Sequence, residues 1–449
     1  MKKAISLLLA FSFVLCLFAC NKEPVSETIS TSGKEVVESL TELITTLVSP
    51  TVTVPSTVPE TRSTTALRCL SPKEFASPLA YCTADFGIRL FNEVMTEQKN
   101  PLISPLSAVS ALTMAGLGAD QTTLEQITNV LKESPEELAL YLRSFMNTAE
   151  KNEGISLANS VWLDGRRFAV KKNFVSDCTN YLDAEVFSDP FDKSTTGKIN
   201  NWITQKTDGE IRNALDEVPA DALAYLINTV LFEAEWIDPY PSFASVQNQD
   251  FITEDGRKQN VSMLCSSHTS SKVFRLGKTT GIFSGYKNGY SFVALLPDED
   301  VSLGEAAKSF TAKDFLSTVS NKTSRSSFAH TGTIYNVRLP MFNFECSFEL
   351  KEALSRMGVS DAFCEKADFS GMGTSKEGYI YLSRVIHKTH IALTEKGTKA
   401  GAATIAEMKA GSARIEEVKL LYFDRPFLYA IVENESGMPV FIGAVTDFQ

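Results

Sequence analysis

The stretch Glu395-Lys-Gly-Thr-Lys-Ala-Gly-Ala-Ala-Thr-Ile-Ala406 constrains this chain more than any other. Read with period two, Thr398, Ala400, Ala402, Thr404 and Ala406 share one face, and nothing on it is large or charged. Lys399, Gly401, Ala403, Ile405 and Glu407 share the other face and carry both charges. A strand with one small, uncharged face can slide between two existing strands and lay that face on a packed core. Ala and Gly are poor strand formers, so the segment is not obliged to be a strand at the outset. By composition alone it reads equally as an exposed linker or a short Ala-rich helix.

The flanks narrow the choice. Val385-Ile-His-Lys-Thr-His-Ile-Ala-Leu-Thr394 reads as a long strand running into the segment. Beyond it come Val418-Lys-Leu-Leu-Tyr-Phe423 and Arg425-Pro-Phe427. Two strands close the chain, Phe427-Leu-Tyr-Ala-Ile-Val432 and Val440-Phe-Ile-Gly-Ala-Val445, joined by the turn Asn434-Glu-Ser-Gly437. Taken in order, these pieces resemble the C-terminal signature of the serpins. That signature is a Glu-x-Gly-Thr/Ser hinge, an alanine-rich tract, a variable exposed loop and a Pro-Phe strand.

The N-terminus has a different character. Residues 1–19 have a positive start and an apolar run too short for a good membrane span, as in a signal peptide. Its end, Leu17-Phe-Ala-Cys20, resembles a bacterial lipobox. That resemblance implies removal of the leader and acylation of Cys20 by palmitate-type chains. Several chains on one residue anchor stably where one is marginal. Residues 20–70 are rich in Ser, Thr, Val, Pro and Glu, a composition that cannot bury a core and suits a tether. The expected address is the bacterial cell envelope, lipid-anchored, with the outer membrane favoured and surface exposure left open.

The domain is expected over residues 71–449, with its hinge at 395–406 and an exposed loop at about 407–417. A first helix reads from Pro78 to Gln98. In Asn100-Pro-Leu-Ile-Ser-Pro-Leu-Ser, Ser104 is placed as an N-cap with Pro105 at the first helical position. The helix that follows is apolar almost all round and should be buried. Further helices are expected over 122–132, 135–151, 170–182, 199–209 and 348–357. Leu223-Ala-Tyr-Leu-Ile-Asn-Thr-Val-Leu-Phe232 is a near-continuous apolar strand, as expected where both faces are covered. The Asn100 block resembles the serpin Asn-x-x-x-Ser-Pro-x-Ser helix. The strand to Trp236 resembles the family's Asn-x-x-x-Phe-x-x-x-Trp element, with Ala234 where Gly is usual. The resemblance runs over about residues 75–449. It implies a mixed α+β fold: one domain with a large, mainly antiparallel central sheet, smaller sheets, about nine helices and an exposed reactive loop.

Cys69, Cys82, Cys178, Cys265, Cys346 and Cys364 fit no zinc spacing, and no Cys-x-x-Cys occurs. An exported chain is permitted disulfides, but a large domain does not need them, so mostly free, buried thiols are expected. Hydrolase, metalloprotease and phosphate-loop motifs are absent, and the four histidines form no recognisable triad. No enzyme, metal or cofactor is expected. A formal charge of -11 without a basic run argues against nucleic acid. A monomer is the expected state.

What the resemblance implies is a suicide-substrate inhibitor of serine proteases, with cysteine proteases left open. A protease attacks the loop, the cut hinge enters the central sheet, and a covalent acyl complex is trapped. Hinge roles fall on Glu395, Gly397, Thr398, Ala400, Ala402, Ala403 and Thr404. Thr398 is the first side chain to pass under the sheet and is expected near the surface beforehand. A buried polar cluster, the shutter and breach of such proteins, falls on Ser104, Ser107, Asn228 and His387, with Trp236 beyond. Family spacing puts the reactive bond at Gly411-Ser412, with Ala410-Gly411, Lys409 and Arg414 as alternatives. The small residues imply an elastase-like or subtilisin-like target. The alternative is a non-inhibitory member acting as a surface binding or carrier module, whose hinge would carry bulky or charged inward residues.

Overall fold

The computed structural model of the chain describes residues 72–152, 154–219, 222–240, 246–269, 272–323, 333–376, 378–398 and 417–448. Helix α1 (Pro72–Val94) leads through β1 (Leu102–Ile103) to α2 (Pro105–Gly118), α3 (Gln121–Leu131) and α4 (Pro135–Asn152). Then follow β2 (Ile155–Asp164), β3 (Phe168–Val170), α5 (Lys172–Leu182), β4 (Glu185–Asp189), α6 (Lys193–Lys206), β5 (Ala224–Phe232) and β6 (Ala234–Glu235). A run of strands comes next: β7 (Val246–Ile252), β8 (Lys258–Thr269), β9 (Val273–Leu276), β10 (Thr279–Gly285) and β11 (Tyr290–Pro297). Helices α7 (Leu303–Ala307) and α8 (Ala312–Thr323) precede β12 (Thr333–Pro340), β13 (Phe342–Glu349) and α9 (Lys351–Met357). The chain closes with β14 (Gly373–Ser375), β15 (Arg384–Leu393), β16 (Gly397–Thr398), β17 (Glu417–Tyr422), β18 (Phe427–Glu433) and β19 (Pro439–Val445).

The best-marked helix forms as its sequence predicts. Ser104 sits in extended backbone and its side chain accepts from the Ser107 N–H, with Pro105 in the first turn. Every residue of α2 except Leu117 is buried, as an all-round apolar helix requires. It lies between the sheets, touching α4, β5 and β19.

Four sequence boundaries need correction. Helix α1 starts at Pro72, with Pro78 inside it; a proline marks where a helix can begin, not where it must. Helix α6 starts at Lys193, on a capping box of Asp192 and Thr195, because its polar first turn shows no apolar period. Phe168–Val170 is a strand because it pairs with Gly373–Ser375, two hundred positions on and invisible to local pattern. Phe348 and Glu349 belong to β13, paired with His387 and Ile386. The helix behind them begins only at Lys351 and ends on Gly358, whose φ of 116° favours glycine.

Three larger sheets result. One runs β1-β19-β18-β11-β10-β9, another β17-β12-β8-β7. The central one runs β4-β2-β5-β15, with β13 on the outer side of β15 and the short β16 and β6 beyond its end. Its pairs are antiparallel except β2 with β4 and β5 with β15. Strand β5 is buried along its whole length. Leu226 and Val230 face the main core, while Tyr225 and Ile227 pack with Ile199, Trp202 and Ile203 of α6. That double burial explains the near-continuous apolar run. Nine α-helices stand among the described residues, so the architecture is the mixed α+β fold the sequence implies.

Candidate functional site: a fork in the central sheet

Strands β5 and β15 lie side by side and parallel, but they pair over only five positions, Arg384–Lys388 against Tyr225–Thr229. Beyond that the two part. Among the described residues, Thr389 to Ala392 pair only with β13, and Val230 to Phe232 only with β2. Among those residues, two strands adjacent in the middle of a sheet thus each have an inner edge without a ladder partner beyond the fork. Interior strands normally satisfy both edges.

At the crotch of the fork sits a polar cluster. The Ser104 N–H donates to His387 Nε2 at 2.9 Å. Ser107 Oγ donates to Asn228 Oδ1, and Asn228 Nδ2 to Asn159 Oδ1. Asn159 Nδ2 donates in turn to the Leu182 carbonyl at 2.7 Å. Thr389, one step past the last paired residue, donates its hydroxyl to the Leu102 carbonyl at 2.9 Å. His387 is 2% exposed, and burial lowers its pKa to about 4, so the ring is neutral and accepts at Nε2. The structure therefore brings together Ser104, Ser107, Asn228 and His387. It adds Asn159, which the sequence reading missed. The signal was available: Asn159 falls in period two with Leu157, Val161 and Leu163, a polar residue on the inward face of β2.

The far end of the fork is closed by the hinge. Thr394 to Gly397 make a tight turn in which the Gly397 carbonyl accepts from Thr394 N–H and Oγ1, each at 2.9 Å. Strand β16 then folds back between β15 and β6, with Thr398 opposite both Leu393 and Ala234. Trp236 clamps it. Its indole N–H donates to the Thr394 carbonyl at 3.0 Å, and its backbone N–H to the Lys396 carbonyl at 3.0 Å. The Tyr240 N–H donates to the Glu395 carbonyl at 2.9 Å. Tyr286 stacks on Trp236 with centroids 4.2 Å apart, and its hydroxyl bonds Thr398 Oγ1 at 2.6 Å. Gly397 has a φ of 151°, and a Cβ there would strike the backbone of Ala234 and Glu235. Only glycine fits so close an approach.

One expectation is overturned. Thr398 is not near the surface: it is 1% exposed, already in the sheet and hydrogen-bonded. The aromatic floor of Trp236, Tyr240 and Tyr286 draws the first hinge residue inward, an effect that hinge sequence alone does not reveal. Ala400, Ala402, Ala403, Thr404, Lys409, Ala410, Gly411, Ser412, Arg414 and Cys20 lie outside the described residues.

Of the cysteines, Cys82, Cys178 and Cys346 are free and buried, Cys265 is free and half-buried, and Cys364 is free and exposed. Burial pushes Cys82 and Cys346 up to about 11 and raises Cys178 further still, so these thiols are protonated and inert. Cys69 lies outside the described residues. Among those residues no group of acidic, histidine and cysteine side chains could hold a metal ion.

Comparison with known proteins bears on the same residues. The family model described as Serpin (serine protease inhibitor) matches residues 82–448. Human alpha-1-antichymotrypsin is 26% identical over 383 residues, covering 82% of this chain and 88% of that protein. Sheep thyroxine-binding globulin is 27% identical, covering 84% and 92%. The crystal structure of the thermophilic serpin tengpin in its native state is 35% identical, with a TM-score of 0.75 over 85% of this chain and 96% of that one. Tengpin in its latent state gives 0.70 at the same identity.

Proposed function

The chain belongs to the serpins, a family of protease inhibitors rather than enzymes, and from that premise we propose that it is an irreversible suicide-substrate inhibitor of serine proteases. The observation that carries this reading is the fork. Continuing β16 in its register against β15, where Thr398 faces Leu393, sets Lys399 to Ala402 opposite Ala392 to Thr389. Those are residues with no partner on their inner edge among the described residues. Four hinge residues therefore have a place waiting. From Ala403 onward the hinge must displace β5 from β15, and Thr404 arrives opposite His387. The polar cluster at the crotch then acts as the latch: it holds while fully bonded and fails abruptly when one partner moves.

In this reading a protease attacks the loop at Gly411-Ser412 or one bond earlier and forms an acyl-enzyme. The freed hinge zips into the fork and carries the protease with it. An inserted strand gains on the order of ten ladder bonds, each worth about 1 kcal/mol net. The alternative, a carrier, is suggested by the thyroxine-binding relative. One observation favours inhibition over it: the inward hinge face is small throughout.

Incubation with pancreatic elastase, subtilisin and trypsin tests the proposal. An SDS-stable complex with elastase or subtilisin is expected, with a new N-terminus at Ser412 or Gly411 by mass spectrometry. Trapping by trypsin alone, at Lys409 or Arg414, overturns the spacing argument. Rapid cleavage and release by all three favours the carrier. The proposed site of action is a bacterial envelope, through acylated Cys20 and the tether behind it. Cys20→Ser should abolish lipid labelling and move the protein to the soluble fraction; continued labelling rejects the anchor.

A further inference from the structure

Strand β17 carries Leu420, the most exposed large apolar side chain among the described residues, at 63%, and beside it Val418 at 55%. Among the described residues the strand is the edge of its sheet and pairs only with β12, in parallel. Period two gives Val418, Leu420 and Tyr422 one face, while Leu421 turns inward against Val337. The facing residue of Val418 is Ile334, itself half-buried, and Tyr422 lies under the Arg338 guanidinium at 4.4 Å. This is an apolar strip on one face of the edge strand; the exposed Lys419 between Val418 and Leu420 falls on the other face by period two.

What covers the strip follows from where it stands in the chain. Val418 is six residues past Ser412. Fully extended chain spans at most about 3.6 Å per residue, so the strip begins within roughly 20 Å of the reactive bond in any loop conformation. A protease domain of about 230 residues has a radius of gyration near 17 Å and is therefore roughly 45 Å across. A protease engaging that bond has the strip within its own footprint, on the side of the cleft that takes residues after the cut.

We propose that Val418, Leu420 and Ile334 form a second contact for the target protease, which selects enzymes with an apolar rim beside the primed end of the cleft. This rests on the inhibitory reading, deepening it by naming where specificity is added. The loop offers only small residues at the cut and so has little to select with; the strip supplies what the loop lacks. Apolar contacts of this kind act on the lifetime of the encounter complex rather than on the chemistry that follows.

The test uses the full-length protein with pancreatic elastase and subtilisin. Saturation kinetics separate the apparent encounter constant from the limiting rate of trapping. V418S/L420S should weaken the encounter constant about tenfold for at least one enzyme, leaving the limiting rate, the stoichiometry and the melting temperature unchanged. Ile252→Ser, an exposed apolar residue on β7 at the opposite edge of the same sheet, is the control and should change none of these. An unaltered encounter constant for both enzymes overturns the proposal. So does a wild-type dimer in light scattering that V418S/L420S makes monomeric, since a second copy would then be the occupant. If the wild type is cleaved without trapping, the inhibitory reading fails while the strip is still tested: the same tenfold change should appear in KM for loop cleavage.

Discussion

His387 shows how one side chain can set the condition under which the fold holds. Burial keeps the ring neutral in the folded state, with its pKa lowered from 6.5 to about 4. The unfolded chain binds that proton more readily, so the neutral ring contributes stability that is fully present above pH 6.5. It is lost progressively as pH falls from 6.5 to 4, and no further below that. Such a shift corresponds to about 3 kcal/mol. Thermal melts at pH 7.5 and pH 4.5 should differ accordingly, and in His387→Gln the His-dependent part of the difference should vanish. The position of the ring adds a second consequence. Protonation removes the acceptor that holds the Ser104 N–H at the crotch of the fork. Acid should therefore also ease hinge entry, read as faster uncatalysed loss of inhibitory capacity at pH 4.5 than at pH 7.5.

At the scale of the element, the hinge is the place where sequence and structure part company most usefully. Around it, the N-cap at Ser104, the doubly buried β5 and the closing hairpin were legible, while the two-faced run beyond Thr398 lies outside the described residues. All rest on local period or on capping chemistry. The seating of Thr398 was not legible, because it depends on Tyr286, 112 positions away. Nor was β3, which pairs with β14. The cluster at the fork was legible in part: four members came from family pattern, and Asn159 was overlooked though its polarity on an inward position marks it. Thr398→Arg now carries a different expectation from the one a surface threonine would. It places a charge against a buried tyrosine, at a cost of several kcal/mol if the hinge stays seated. The mutant should melt about 5 °C lower with its hinge expelled, be cut at the same bond, and release active protease. Lys399→Arg, on the opposite face, should trap normally. Equal loss of trapping in both contradicts the two-faced hinge.

For the molecule as a whole, the fork leaves four positions of β15, Thr389 to Ala392, without an inner partner among the described residues, and full insertion of the hinge as proposed would add a whole strand. Cleavage in the loop should release it. With on the order of ten further ladder bonds, the cut protein should melt on the order of 10 °C above the intact one. An unchanged melting temperature after complete cleavage rejects insertion. Until that cut, the chain is fastened on both sides of the loop. One fastening is β16, two residues under a tryptophan clamp; the other is β17, held to β12 by six parallel pairs. The closing hairpin behind β17 lies in the interior of another sheet, between β1 and β11, and gives no slack. If the hinge inserts as proposed, an uncut loop can enter the fork along its full length only by stripping β17 from its neighbour. On that mechanism the molecule has a shelf life, and the edge strand is its clock. Every hour of readiness is then granted by six residue pairs far from the hinge, and once they let go the inhibitor is spent without having met a protease.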